Sequence, residues 1–365
     1  LSSKNSKKKD IFMNIGIICE FNPFHKGHKY LIDSVKKNGD AVICAMSGNF
    51  VQRGDFAIDD KFSRAKTAIE NGADLVIEIP TVCSTLSAQG FARAGVDILE
   101  KTGICDSIAF GAECEDINEL KRICREIVIR DNEIKSELRK GISYPQARQN
   151  VINSPILDSP NNILAIEYLS YTKLNPIPIK RIGKGHDTDD EEYSASEIRK
   201  NMSLDKISSM KNCESAILYK LRNMSAEDFK QIDDVSEGLE NRIVDAVRSS
   251  SSLEEIYDKI KTKRYTHSRI RRIILRAYLS IDSDVSKSPQ YLHILGFNQK
   301  GRELLAQMKK VANLPIISKY SDIYNQDELI KELYEQECRL TDIHALGYNP
   351  PRPCGTEQTS KIIVV

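Results

Sequence analysis

The sequence predicts an α/β fold, a doubly wound parallel sheet over residues 13–200 followed by a mostly helical part over 201–346. Three observations predict it. Apolar runs of strand length at 15–19, 41–46, 75–79 and 107–110 alternate with stretches of helical periodicity, which is the pattern of a parallel sheet. Polar loops with glycine or asparagine follow several of these runs, at the carboxyl ends where open sheets of this kind bind ligands. Beyond residue 203, proline is absent until Pro289 and charged, helix-forming sequence predominates.

The first run, 15–19, is broken by Asn22 and Pro23 and is followed by His25, Gly27 and His28, then by a helical stretch over 30–37. Strand, tight loop and helix start in that order form an anion site, because free N–H groups and the positive end of the helix dipole face the space above the loop. Gly27 lets a ligand approach the backbone. His25 and His28 can donate ring N–H groups to phosphate oxygens as charge develops. The plain alternative is two histidines lining a helix start. A zinc site fits less well, since the motif is not His-Glu-x-x-His and no third ligand stands at a familiar spacing.

After the strand at 41–46, the loop 47–55 offers Asn49, Gln52 and Arg53 to a ligand, or is an ordinary surface loop. A helix over 59–71 starts at Asp59 or Asp60, projects Lys61 and Arg64, and ends at Gly72. Pro80 stops the strand at 75–79. Small residues Ala88, Ala92 and Gly95 let a helix over 87–101 pack close to the sheet. The strand at 107–110 runs into Gly111, against which a base or ribose could lie; a plain strand-ending glycine is the alternative. A charged amphipathic helix over 117–140 reads as a solvated cover. Pro160 and Asn161 suit a helix start, which leaves Asn162 freer to reach a ligand. The strand at 176–182 brings Arg181 and Lys184, an acidic linker follows at 187–192, and Ser196 then stands at a helix start with Arg199 one turn on.

In the helical part, 261–276 is the densest basic stretch and contains no acidic residue. On a helix, Ile270, Ile273, Ile274 and Ala277 form an apolar face, and Arg269, Arg272 and Arg276 share the opposite side, preceded by Lys261, Lys263 and Arg264. Such a ridge suits the phosphates of a nucleic acid, with Tyr265 available for stacking; a solvated charged face is the alternative. Later come a strand or turn at 294–298, a helix over 301–310, a short strand at 314–318 and a last helix over 340–346. The tail, 347–365, is rich in proline and glycine and closes on an apolar segment expected to dock on the body.

The composition is ordinary for a globular protein, 40% hydrophobic and 29% charged with net charge +1, so any basic surface must be local. No apolar run approaches the roughly 20 residues that span a bilayer. Residues 1–12 read as a disordered leader rather than a secretory signal, with Met13 the expected functional start. Nine scattered cysteines without Cys-x-x-Cys suggest reduced thiols and a cytoplasmic protein.

Several segments together carry a family pattern. They are Glu20-Phe21-Asn22-Pro23-Phe24-His25-Lys26-Gly27-His28, Met46-Ser47-Gly48-Asn49-Phe50-Val51-Gln52-Arg53-Gly54, Tyr144-Pro145-Gln146-Ala147-Arg148, Ser159-Pro160-Asn161-Asn162-Ile163-Leu164, Ser194-Ala195-Ser196-Glu197-Ile198-Arg199 and Leu295-Gly296-Phe297. In this order, from about residue 13 to 346, the chain resembles the bacterial tRNA(Met) cytidine acetate ligase family, which carries the His-x-Gly-His signature of Rossmann-like nucleotidyltransferases. Phe21 in place of tyrosine and the acidic Glu197 depart from the pattern.

The resemblance implies an ATP-dependent ligase that activates acetate as acetyl-adenylate and forms N4-acetylcytidine at the wobble position of elongator tRNA(Met). It implies ATP, with Mg2+, lying over Ile18, Cys19, Glu20, Phe21, Asn22, Pro23, Phe24, His25, Lys26, Gly27, His28, Lys29, Tyr30 and Leu31. Gly111, Asn162 and Arg181 are the matching contacts from later loops, and Ser196 and Arg199 clamp the leaving phosphates. His25 and His28 are the implied catalytic residues, and the basic segment is the implied platform for the tRNA. Acetate and elongator tRNA(Met) are the expected partners, with no membrane, protein partner or protein-held metal expected. Two other readings stay open at this point. One is an adenylyltransferase for a small metabolite, which leaves the basic helical part without a task. The other is a non-catalytic RNA-binding protein that senses ATP.

Overall fold

The structure, a computed structural model, describes residues 12–36, 39–181, 198–199, 201–236 and 238–365. Strand β1 (Asn14–Cys19) is apolar after Asn14 because both faces of the sheet are covered. Ile15, Ile17 and Cys19 enter the core on one side. Gly16 and Ile18 face the other, where a Cβ on Gly16 would meet Leu99 at 2.6 Å and one on Gly95 would meet Ile18 at 2.8 Å. The expected small-residue packing of the helix after Ser87 is therefore present, with Gly95 and the fully buried Ala92 on its sheet-facing side.

Helix α1 (Lys26–Val35) leads to β2 (Ala41–Ser47), a hairpin of β3 (Phe50–Val51) and β4 (Asp55–Phe56), α2 (Lys61–Glu70) and β5 (Leu75–Ile79). Then follow α3 (Thr81–Ser84), α4 (Ala88–Lys101), β6 (Ser107–Ala112), α5 (Ile117–Ile129), α6 (Asp131–Leu138), α7 (Tyr144–Ile152), α8 (Pro160–Tyr171) and β7 (Asn175–Lys180). The helix expected over 117–140 is two helices. The break falls at Arg130, whose side chain turns to Val151 O and Glu133.

Three later strands complete the sheet: β8 (Leu292–Phe297), β9 (Ile316–Ile317) and β10 (Ile363–Val364). The order is β10-β8-β5-β2-β1-β6-β7, with β9 beside β8, and every pair is parallel except β5 with β8. The division expected at residues 200 and 346 is therefore not a division of the sheet. The chain leaves through the helices Glu214–Arg222, Ala226–Lys230, Leu239–Arg248, Leu253–Ile260 and His267–Leu279, then returns to the edge beside β5. The last long helix runs over Glu328–Ala345, well before residue 340, because Asp327 caps its start by accepting from Ile330 N.

This topology places the site. β1 lies between β2 and β6, and the chain winds outward through β2 and β5 before returning to β6 and β7. The carboxyl ends of β1 and β6 thus flank the point where strand order reverses, the crevice in which doubly wound sheets bind ligands.

Candidate active site

The loop between β1 and α1 occupies that crevice. His25 is the N-cap of α1 with extended backbone, and its Nδ1 accepts from Gly27 N at 3.1 Å. His28, one turn on, accepts from His25 N through its own Nδ1 at 3.3 Å. The two imidazoles stack with centroids 3.7 Å apart. With both Nδ1 atoms accepting, a neutral ring carries its proton on Nε2, so each histidine presents a donor. Burial, then His25 and then Arg181, push the His28 pKa down to about 3, so this ring is neutral near pH 7. Gly27 lies close under this pair, since a Cβ there would lie 3.0 Å from His25 Cε1 and press on the ring.

Phe21 and Phe24 hold the pair in place. Phe21 is buried, has a left-handed φ of 46°, and packs edge-on against Phe24 and His28 at 4.9 Å each. A phenyl ring at this dry position leaves no hydroxyl to satisfy, which accounts for Phe21 where tyrosine was expected. The Oδ1 of Asn22 accepts from Ile58 N at 2.8 Å, and Arg199 Nη1 donates to Asn22 O. Arg199 therefore meets the motif loop from a distant part of the chain. Ser196, its expected companion, lies outside the described residues, as do Lys184 and Glu197.

The other residues expected around ATP are spread along this stretch. Ile18 and Cys19 turn their side chains into the core, and Leu31 packs on the core beneath α1. Pro23 is half-buried, while Lys26 and Tyr30 are exposed, and Lys29 pairs with Asp33 along the helix.

On the β6 side, Gly111, Asn162 and Arg181 converge. Arg181 N pairs with Ala112 O at 3.1 Å, and a Cβ on Gly111 would touch Arg181 Cγ at 3.3 Å. Arg181 Nη1 donates to Asn161 Oδ1 at 3.0 Å, and Asn161 Nδ2 donates to Glu113 Oε1 at 2.6 Å. Both asparagines are engaged at this strand end. Asn162 is buried and its Oδ1 accepts from Glu113 N and Cys114 N, both at 3.0 Å, so it shapes the loop. Asn161, read as a cap, is the one that carries Arg181. Pro160 makes the difference, because it fills the first helical position where no N–H needs capping.

On the β2 side, the loop 47–54 is fastened rather than open. Asn49 is fully buried between Lys61 N, 2.9 Å, and Thr341 Oγ1, 3.1 Å. Gln52 N donates to Glu20 Oε1 at 2.7 Å and its side chain to Leu86 O at 3.4 Å. Arg53 is exposed. Arg64, expected to project, is buried and donates to Glu20 O at 2.6 Å, to Ser47 O at 3.2 Å and to Gly48 O, clamping the ends of β1 and β2 together.

Lys61, also expected to project, is fully buried, with Nζ 2.8 Å from both Glu78 oxygens and 2.7 Å from Glu357 Oε2. Glu78, His293 and Glu357 form the only three-residue cluster of potential metal ligands among the described residues, and the Lys61 ammonium already stands within it.

The basic ridge is only partly a surface. Arg276 is 2% exposed and bonds Asp233 Oδ2 at 2.7 Å, Val82 O at 3.0 Å and Thr85 Oγ1 at 3.1 Å. Arg272 is buried and pairs with Asp234 at 3.0 Å, while Arg269 donates to Asp234 O. The expectation of a free arginine face fails here because the loop at Asp233 and Asp234 covers it. Lys261 and Lys263 are exposed, and Arg264 is half-buried. The helix touches the site loop directly: a Cβ on Gly54, at φ 77°, would lie 2.5 Å from the carbonyl carbon of Arg271.

Comparison with known proteins agrees with this geometry. Residues 13–359 match the family described as HIGH Nucleotidyl Transferase. The tRNA(Met) cytidine acetate ligase of Acetivibrio thermocellus is 38% identical, covering 96% of this chain and 99% of the relative. That of a Thermoanaerobacter species is 39% identical, covering 92% and 95%. The crystal structure of Thermotoga maritima TmcAL bound with alpha-thio ATP superposes with a TM-score of 0.87 at 29% identity, covering 97% of this chain and 99% of that one.

Proposed function

The chain belongs to the tRNA(Met) cytidine acetate ligase family within the HIGH nucleotidyl transferases, and from that membership we propose that it acetylates N4 of the wobble cytidine of elongator tRNA(Met) at the expense of ATP. The observation that carries the reading is the stacked His25–His28 pair at the head of α1, with both Nδ1 atoms engaged by backbone N–H groups at the strand-order reversal.

In this reading the adenosine lies on the β6 side, against Gly111 and the Asn161–Arg181 pair, over a loop shaped by Asn162. The phosphates cross the N-terminus of α1, where the dipole and the two imidazoles stabilise negative charge as acetate attacks the α-phosphate. Neutral His28 donates a hydrogen bond without releasing its proton. Arg199, with Ser196, attends the leaving pyrophosphate. Adenylation is what makes acetate reactive toward a base amine, a poor nucleophile. The amine then attacks the acyl carbon and AMP departs.

Mg2+ brought in with ATP would supply charge neutralisation during the transfer. The Glu78–His293–Glu357 cluster does not fit it, being buried and filled by Lys61. Lys261, Lys263 and Arg264, with Arg269 beside them, receive the tRNA backbone; Arg272 and Arg276 serve the fold instead. A cytoplasmic setting agrees with nine cysteines that form no disulfide. No helix among the described residues is long and apolar enough to cross a membrane.

The test is transfer of radiolabelled acetate to unmodified tRNA transcripts. ATP-dependent label confined to elongator tRNA(Met), falling at least about 100-fold in His28→Ala, is the expected outcome. Pyrophosphate formed with another acceptor and no label on tRNA would move the reading to a metabolite adenylyltransferase.

A further inference from the structure

Amide formation at a cytidine amine releases a proton, and some group must take it. The motif histidines are poorly placed to do so. Both Nδ1 atoms already accept backbone N–H groups, at 3.1 and 3.3 Å, so in a neutral ring neither Nδ1 is open to a substrate proton. Three carboxylates stand near the site loops: Glu113, Asp55 and Glu20. Glu113 lies on the β6 side and accepts from Asn161. Asp55 turns toward the helix His267–Leu279, accepting from Phe56 N at 2.9 Å and lying 3.8 Å from Arg271.

Glu20 differs from both. It directly follows β1 at the entry to the motif loop, and its carboxylate turns to the loop after β2, where it meets Gln52. In the ligase reading the adenosine takes the Gly111–Arg181 wall, so Glu20 is left to act on the acyl acceptor rather than on the base of ATP. Among the described residues the Glu20 carboxylate makes a single hydrogen bond, Gln52 N–H to Oε1 at 2.7 Å, so Oε2 has capacity left. It is half-buried, and burial raises its pKa against the opposing pull of Gln52 N–H, Arg64, Arg53 and Arg199. Tyr168 and Cys19 also lie within its field. A carboxylate of raised basicity with an oxygen left to accept is suited to take a proton.

We infer that Glu20 is the general base of acyl transfer, taking the N4 proton of the cytidine on Oε2 as the amine attacks the acetyl-adenylate. The N4–carbon bond forms, the bond from acyl carbon to phosphate oxygen breaks, AMP leaves with that electron pair, and Glu20 later gives the proton to solvent. This deepens the ligase reading and rests on it.

The experiment separates the two half-reactions in Glu20→Gln, whose amide oxygen can still accept from Gln52 N–H. Adenylation is read by acetate-dependent ATP–pyrophosphate exchange. Transfer is read in a single turnover from enzyme preloaded with ATP and labelled acetate, on adding elongator tRNA(Met) transcript. Transfer is expected to fall about 100-fold more than exchange, the usual scale of a lost general base. Glu20→Asp is expected to recover part of the ratio.

Equal loss in both half-reactions of a folded variant would overturn the assignment and make Glu20 a positioning residue for the loop. Loss in neither would pass the proton to the departing phosphate. If Glu20→Gln does not fold, the wild-type pH profile decides. Transfer that falls toward acid while exchange holds supports the base, and parallel profiles overturn it. A wild-type enzyme with neither exchange nor transfer would instead sink the ligase reading itself.

Discussion

His344 is 1% exposed and donates through Nε2 to Ala57 O at 2.8 Å, so it takes part in folding as a neutral ring. Burial is the main cause of its pKa falling to about 4. A histidine whose pKa is lower folded than unfolded binds more protons in the unfolded state, so its contribution is complete above about pH 6.5 and declines as pH falls toward 4. At pH 5 this amounts to about 2 kcal/mol. His344→Gln keeps an N–H for Ala57 and cannot titrate. Urea midpoints from pH 7 to 5 should fall less steeply in this variant than in the wild type. At this scale the sequence was legible where chemistry is local: His25, Gly27 and His28 work within one turn, and their spacing alone implied a site. The protein contacts of Asn161 and Asn162 were not legible, because which of two adjacent side chains is buried depends on the neighbouring strand end at Glu113, not on the helix start itself.

The helix His267–Leu279 shows what periodicity reveals and what it hides. Spacing placed Arg272 and Arg276 on one side correctly, but nothing in the helix reports what lies opposite. Asp233 and Asp234, some forty residues earlier, face that side and bury it. Two substitutions of similar charge should therefore act differently. Arg276→Ala leaves Asp233 to Lys287 and removes the bonds to Val82 and Thr85 from a buried position, so it should cost about 2 kcal/mol or more in a urea melt. Lys263→Ala should leave stability within about 0.5 kcal/mol. It should weaken tRNA binding and lower the salt slope by about one counterion, read by titration at several salt concentrations.

The sheet is stitched from both ends of the chain. Alternating strands and helices over the first 180 residues were readable because each parallel unit signals itself in sequence. The return of β8 and β10 was not, since two residues at Ile363–Val364 carry little pattern and their partners lie in β8. The same holds inside. Lys61 meets Glu357, and Thr81 meets Glu337, whose pKa is pushed up to about 8 by burial and by Glu78. Glu357→Ala should cost about 3 kcal/mol, because it removes a partner from a buried charge. Loss of Glu357 should also lower the denaturation midpoint at unchanged m-value if the molecule unfolds as one unit.

The closing of the sheet by Ile363–Val364 also bears on synthesis. On the ribosome, β1 and its motif loop emerge before residues 356–364, and until those follow, β8 lacks its β10 partner at Gly296–Phe297 and Lys61 lacks its second carboxylate. One downstream segment thus completes both the sheet and the buried ion cluster. A product truncated before Glu357 would expose a strand edge and a buried amine at once, two marks that quality-control proteases and chaperones read.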